Sequence, residues 1–116
     1  MVLAILCDRG FKNPDLWLEG VVQVVEQTHK LPVTVVSEGS SNMVKKWTKD
    51  NKIRHRMLRA KYNENGSKQS QVDLIAKTAT HALIFSGSKA NKNAEKIAKR
   101  MRKDGKLVVE IVDPDL

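Results

Sequence analysis

Residues 82–112 read ALIFSGSKANKNAEKIAKRMRKDGKLVVEIV, and this order of apolar and polar segments decides the fold. An apolar run ends at Phe85, small polar residues follow from Ser86 to Asn91, and a basic amphipathic segment leads to a second apolar run. Strand, turn, helix and strand in this order are typical of a parallel βαβ unit. A turn of this kind at the start of a helix is also where many α/β proteins hold a phosphate.

The same alternation extends through the whole chain. Apolar or β-branched runs predict five strands, at residues 2–7, 33–36, 53–60, 82–85 and 107–112. Four helices are predicted between them, the first beginning near residue 13 and the others covering residues 41–50, 67–78 and 91–103. We expect one α/β domain over residues 1–116, a Rossmann-like three-layer sandwich in which helices cover both faces of a mostly parallel sheet.

The first helix carries clear signals for its start and for its buried face. Asn13 suits a cap, Pro14 the first helical position, and Asp15 the positive end of the helix. The residues predicted to face the core share an apolar side chain and helical spacing: Leu18, Val21, Val22 and Val25.

The polarity of the strands predicts their order in the sheet. The third strand carries Arg54, His55, Arg56 and Arg59, and charge of this kind is typical of an edge strand. The first, second and fourth strands are apolar enough to lie in the centre, so we expect the order 3-2-1-4-5. That order reverses between the first and fourth strands, where open α/β sheets bind ligands outside the carboxyl ends of the strands.

The composition favours a soluble domain with anionic partners. The 116 residues are 41% apolar and carry a net charge of +8. No run approaches the ~18 apolar residues of a membrane span, and the segment MVLAILC lacks the features of a signal peptide. One cysteine and no zinc-type spacing predict no disulfide, no metal and no other cofactor. We expect a cytoplasmic protein of a bacterial cell or an infected host, with no membrane contact.

Three loops should meet at the carboxyl edge of the sheet: Asp8–Phe11, Ser37–Asn42 and Ser86–Asn91. Each contains glycine, which allows close approach of a ligand to the backbone, and two lead directly into helix N-termini. The residues predicted to bind phosphate are Arg9, Gly10, Gly39, Ser40, Ser41, Ser86, Gly87, Ser88, Lys89 and Asn91. The alternative is a set of ordinary turns, which use the same residue types.

Two carboxylates in these loops, Asp8 and Glu38, are the candidate catalytic residues. They could form an acid/base pair, or Asp8 could cap its loop or pair with Arg9. Phe11 and Tyr62 are candidates for stacking on a nucleobase.

Three further residues are expected to be structural. Cys7 is expected to be a buried thiol, Trp47 a core residue and His55 an exposed bystander.

The segments LCDRGFKNPDLW, TVVSEGSSN and THALIFSGSKANKNA resemble, in this order, the characteristic stretches of the YspA-like branch of the SLOG superfamily. This superfamily also includes the Lonely-guy phosphoribohydrolases and the DprA/Smf domain. The resemblance covers residues 1–112 and implies a Rossmann-like fold, a nucleotide-like ligand and a homo-oligomer. It matches Arg9 and Phe11 to the pattern Gly-Ser-Arg-x-Phe of the first loop. It matches Gly39 to a glycine of the second loop, and residues 87–89 to a Gly-Ser-Arg after the fourth strand.

The chain departs from the family pattern at two places. The second loop is shorter than Gly-Gly-Ala-x-Gly-Ala-Asp, and Asn42 stands where the family has its acid. The catalytic glutamate of the Lonely-guy pattern Pro-Gly-Gly-x-Gly-Thr-x-x-Glu falls on Ala94, and Glu95 is displaced by about 100° around a helix. The resemblance therefore does not imply N-glycosidic hydrolysis by that mechanism.

Three functions are open at this point. The first is binding of a small nucleotide-like anion by the loops after strands 1, 2 and 4, as a sensor, a sequestering protein or a weak hydrolase. The second is binding of nucleic acid through Arg54, Arg56 and Arg59, although the chain has few aromatic residues for base stacking. The third is hydrolysis of a nucleotide or nucleoside phosphate with Asp8 or Glu38 as acid/base.

Overall fold

The computed structural model describes residues 1–39, 41–58, 61–62, 68–88 and 91–116. The strands are β1 (Val2–Cys7), β2 (Thr34–Ser37), β3 (Arg54–Met57), β4 (Lys61–Tyr62), β5 (Lys68–Gln69), β6 (His81–Ser86) and β7 (Leu107–Val112). The helices are α1 (Pro14–Thr28), α2 (Asn42–Asp50), α3 (Gln71–Thr78) and α4 (Lys92–Lys103).

Five of the strands form one parallel sheet in the order β3-β2-β1-β6-β7. Since β6 and β7 are the predicted fourth and fifth strands, the predicted Rossmann-like fold class and strand order are confirmed. The polar strand β3 lies at an edge. The apolar β1 lies at the centre, where four of its six residues are buried.

Helices cover both faces of this sheet. Residues from α3 and α4, such as Ile75 and Ile97, pack on one face with Leu6 and Ile84. Residues from α1 and α2, such as Val24 and Val44, pack on the other face with Leu3. The second layer also contains an aromatic stack, in which the ring of Phe85 lies 4.6 Å from Phe11 and 5.2 Å from Trp17.

The buried face of α1 differs from the predicted one. The helix buries Trp17, Gly20 and Val24, whereas Leu18 and Val22 are 61% and 41% exposed. The reason is Gly20, where an added Cβ would lie only 2.8 Å from the ring of Phe85. Because α1 approaches the sheet most closely at a residue without a side chain, counting apolar side chains places the buried face wrongly.

The segment between β3 and α3 also differs from the prediction. Residues 61–62 and 68–69 form a short antiparallel ladder, β4 with β5, where a loop and the start of the third helix were expected. The third helix begins at Gln71 and not at residue 67, because the Ser70 side chain accepts a hydrogen bond from the Asp73 N–H at 3.1 Å and caps it there. The strand predicted over residues 53–60 covers only Arg54–Met57.

No helix in the described ranges is long and apolar enough to cross a membrane.

Candidate functional site

The loops after β1 and β6 are joined by the carboxylate of Asp8. Its Oδ2 accepts a hydrogen bond from the Gly87 N–H at 2.8 Å, and its Oδ1 accepts one from Nδ2 of Asn91 at 2.7 Å. Asn91 also caps α4, since its Oδ1 accepts from the Ala94 N–H at 3.1 Å. One carboxylate therefore fixes both the turn after β6 and the residue that starts α4.

Residues 113–116 cover the same turn from another side. The backbone oxygen of Leu116 accepts from the N–H of Ser88 at 3.2 Å and from its hydroxyl at 3.0 Å. A Cβ on Gly87 would lie 2.9 Å from that oxygen, so only glycine fits there. The N–H groups of Gly87 and Ser88 are thus already paired with acceptors of the chain itself, and the chain's own carboxylate lies where a ligand phosphate was expected. Lys89, the predicted cation of this turn, lies outside the described residues.

A cavity of about 610 Å³ opens instead between the loops after β1 and β2. It brings together eight of the residues selected from the sequence: Asp8, Arg9, Gly10, Phe11, Glu38, Gly39, Ser41 and Asn91. Its volume is in the range of small-molecule sites, about 300–1,000 Å³. The cavity lies at the carboxyl ends of β1 and β2, one strand away from the expected position between β1 and β6.

Other residues that line the cavity were missed as site residues in the sequence: Ile5, Cys7, Lys12, Ser37 and Met43, with Asn42 noted only as a replaced acid. Lys12 could have been found, because it lies three residues after Arg9 in the same loop. Ser37 follows Val36 at the end of β2, where alternation gave no sign that a hydroxyl would turn into the cavity.

Part of the cavity lining is positive. Arg9 and Lys12 are exposed at its lining, and neither belongs to the two ion pairs found among the described residues. Helix α2 begins here with Ser41 as its cap and has no acidic residue in its first turn. The partial positive charge of a helix N-terminus therefore adds to the two cations.

The lining also carries Glu38, whose pKa is raised by burial and then by the charge of Asp8. Its backbone carbonyl accepts a hydrogen bond from Nε2 of Gln71 at 2.7 Å, and the same Nε2 donates to the carbonyl of Leu58 at 2.7 Å. Gln71, at the start of α3, thus fixes the loop after β2 from the opposite side of the sheet.

Ser37 and His55 fix the next residue of that loop. The Ser37 hydroxyl donates to the carbonyl of Gly39 at 3.1 Å, so it accepts from Nε2 of His55, which lies 2.7 Å away. Burial and the charge of Lys45 lower the pKa of His55, which favours the neutral ring. The prediction of an exposed bystander is therefore wrong, since His55 is half-buried and holds Ser37.

Cys7 lines the cavity but lacks the character of a nucleophile. Burial raises its pKa to about 12, against a lowering by its hydrogen bond to Ser41. Since the reactive form is the thiolate, the thiol stays protonated at neutral pH.

A second cavity of about 300 Å³ lies on the far side of the turn after β6. Ser86, Gly87 and Ser88 line it together with Glu95 and Glu110. Glu110 is paired with Arg102, 3.3 Å away. The described lining of the second cavity thus contains acids and no lysine or arginine, whereas the first contains both signs of charge.

The remaining predicted site residues lie away from both cavities or outside the described part. Arg54 and Arg56 are exposed on β3. Phe11 is only 6% exposed and stacks on Phe85, so it belongs to the core and only borders the cavity. Ser40, Arg59 and the side chain of Tyr62 lie outside the described residues. Within the described ranges, no group of three His, Cys, Asp or Glu residues is placed to hold a metal ion.

Comparison of the chain with protein-family models, with curated proteins and with solved structures finds no match.

Proposed function

We propose that the protein binds a small nucleotide-like anion in the cavity between the loops after β1 and β2. The observation that carries this proposal is the juxtaposition of two kinds of group in one cavity of about 610 Å³. Arg9, Lys12 and the N-terminus of α2 suit a phosphate. The carboxyl group of Glu38 suits a ribose, whose hydroxyl groups donate hydrogen bonds to acidic side chains in nucleotide-binding α/β proteins.

The resemblance of the loops to the SLOG superfamily supports the same ligand class. In this proposal the turn after β6 contributes Asn91 to the cavity, while Asp8 holds that turn in place. The phosphate lies toward Ser41 and the start of α2, which line the cavity.

The test is a thermal-shift and calorimetric titration with adenosine, AMP, ADP, ADP-ribose and inorganic phosphate. A ligand at ~100 times its Kd stabilises the fold by about 2.7 kcal/mol. We expect a nucleotide to bind more tightly than either adenosine or phosphate alone, because only the nucleotide engages both the cations and the carboxylate of the cavity. The proposal is overturned if no nucleotide stabilises the protein at millimolar concentration.

A pair of double variants locates the site. Arg9→Ala with Lys12→Ala removes the two cations of the cavity, and we expect a loss of at least ~10-fold in affinity, about 1.4 kcal/mol. The matched control is Lys30→Ala with Lys77→Ala, which removes two exposed cations at the opposite edge of the sheet. Equal losses in the two variants would mean that net charge and not the cavity attracts the ligand.

We propose hydrolysis of the bound nucleotide as a second candidate function, on the basis of Glu38 alone. A carboxyl group whose pKa is raised by burial in a cavity is suited to general acid or base catalysis. Asp8 is less suited, because both of its oxygens are occupied by Gly87 and Asn91. Turnover of a bound nucleotide that survives Glu38→Gln would exclude this mechanism, and the absence of any turnover would leave a binding protein.

A further inference from the structure

The outer face of α4 carries a line of four lysines. Lys92, Lys96, Lys99 and Lys103 are all exposed, and their spacings of four, three and four residues keep them within about 60° of each other around the helix. At ~1.5 Å per residue the line is about 16 Å long. We refer to these four residues as the lysine stripe.

Acidic neighbours of α4 are bound by its arginines and not by the stripe. Arg100 pairs with Asp73 of α3, and Arg102 pairs with Glu110 of β7. Arg100 and Arg102 flank the stripe on its two sides, at about 80° from its centre. Among the described residues, no carboxylate lies within ion-pair distance of a stripe lysine, so its charge is available to an external anion.

The first lysine of the stripe lies at a position where a positive charge destabilises the helix. Lys92 is the first residue of α4, directly after the cap Asn91. A cation at this position opposes the positive end of the helix dipole. A charge that opposes the stability of its own helix is more readily explained by contact with a partner than by folding.

The two helices on the opposite face of the sheet differ in charge. Helix α1 carries Asp15, Glu19 and Glu26 but no lysine or arginine, whereas α2 carries three lysines and one acid. That face is therefore of mixed charge, and the lysines of α2 provide a matched control for the stripe.

We propose that the lysine stripe is a contact surface for the phosphate backbone of double-stranded nucleic acid. Its length of about 16 Å matches about five base-pair steps of 3.4 Å. Single strands are disfavoured because the aromatic side chains in the described part are buried or half-buried and cannot stack on bases. A membrane surface is disfavoured because none of the large exposed apolar side chains belongs to α4.

The salt dependence of binding tests the number of contacts. Four phosphates neutralised on a duplex give a slope of log K against log salt of about −3.6. Affinity for a 20-base-pair DNA duplex of arbitrary sequence is therefore expected to fall by about 10²-fold between 50 and 200 mM NaCl. A duplex RNA of equal length, a single strand and anionic vesicles are titrated in parallel, and preference for the single strand or the vesicles would overturn the proposal.

Two variants that each lose four positive charges, one in the stripe and one on α2, locate the binding surface. Replacing the four stripe lysines by glutamine should abolish measurable duplex binding at 100 mM NaCl, and replacing them by arginine should preserve it. The control replaces Lys45, Lys46, Lys49 and Lys52 of α2 and its C-terminal turn by glutamine, which removes four charges from the opposite face, and should change affinity by less than about threefold. An equal or larger loss in the control would overturn the proposal in favour of net charge or of the β3 edge.

Two further measurements keep the test decisive. If the four-glutamine variant does not fold, Lys96→Gln and Lys99→Gln should each reduce the salt slope by about 0.9, and unchanged slopes would contradict the proposal. The Arg9→Ala, Lys12→Ala variant should bind the duplex normally, so failure of the nucleotide proposal and failure of this one are distinguishable.

Discussion

Asp8 connects the loops of two neighbouring strands through hydrogen bonds to the Gly87 N–H and to Nδ2 of Asn91. Asp8→Asn keeps the shape of the side chain but turns an NH₂ group toward one of these two donors. Asn91 cannot compensate by rotating its amide, because its Oδ1 caps α4. We expect a loss of about 1–3 kcal/mol in the free energy of unfolding, measured by urea denaturation. Asp50→Asn, at an exposed position of α2, is the control and should stay within about 0.5 kcal/mol.

The close contact of Gly20 with the sheet predicts that Gly20→Ala destabilises the protein, whereas helix propensity predicts that it stabilises the protein. An exposed Gly→Ala change inside a helix stabilises by about 1 kcal/mol. At Gly20 the new Cβ would meet Phe85 at 2.8 Å and Leu83 at 2.9 Å, and Phe85 is held between two other aromatic rings. We expect Gly20→Ala to destabilise by about 1–3 kcal/mol, and a stabilised variant would refute this packing. In the background Phe85→Leu, which shortens the obstructing side chain, the cost should be smaller.

His55 makes the stability of the fold depend on pH. Its pKa is lowered in the folded state, so between that value and about 6.5 the unfolded chain binds more protons. Stability is therefore lost as the pH falls through this window. His55→Gln keeps a donor for Ser37 but does not titrate, so we expect the variant to gain relative to the wild type as the pH is lowered from 7.5 to 5. A difference between the two proteins that does not change with pH would contradict the assignment.

At the scale of elements, the starts of α1, α2 and α4 were predictable because a nearby residue caps each helix, whereas α3 was predicted to begin too early. Asn13, Ser41 and Asn91 are these caps, and of the three only Asn13 was identified as a cap from the sequence. The hydrogen bond from the Gly87 N–H to the Asp8 carboxylate was not predictable, because it joins a side chain to backbone 79 residues away in the sequence. The loops after β1 and β2 were both among the three predicted to meet, but the sequence did not indicate that the cavity would open between these two while Asp8 holds the third.

The start of α4 gives a prediction in which stability and binding change in opposite directions. Lys92→Glu replaces a cation at the positive end of the helix dipole by an anion, worth about 0.3–1 kcal/mol for each favourable charge. We expect a more stable protein, measured by thermal and urea unfolding, with weaker duplex binding. Lys103→Glu, at the other end of the helix, is the matched comparison and should weaken binding but also lower stability. A destabilised Lys92→Glu variant would contradict this account of α4.

At the scale of the molecule, the strand order was predictable because strands in the centre of the sheet are buried on both faces. A strand buried on both faces must be apolar, and only β1, β2 and β6 satisfy this well enough for the centre. The basic β3 then has no place except an edge. The ladder of β4 with β5 involves two residues on each strand, too few for a periodic pattern to be recognisable in sequence.

The distribution of charge predicts how the whole fold responds to salt. The net charge is +8 and the Cα radius of gyration is 13.7 Å. The Debye length is about 30 Å at 0.01 M and about 8 Å at 0.15 M ionic strength. At the lower ionic strength the positive charges therefore repel each other across the whole molecule. At the higher ionic strength only charges that lie close together repel each other. We expect the melting temperature to rise with NaCl between these limits.

The four-glutamine variant of the lysine stripe separates general repulsion from binding of anions. It halves the net charge, so its melting temperature should rise less steeply with NaCl than that of the wild type. Sodium phosphate at equal ionic strength should stabilise both proteins beyond NaCl if the cavity beside Arg9 and Lys12 binds phosphate, because that cavity is unchanged in the variant. A wild-type melting temperature that does not change with NaCl would show that the basic faces are too far apart, or too well solvated, for their repulsion to affect folding.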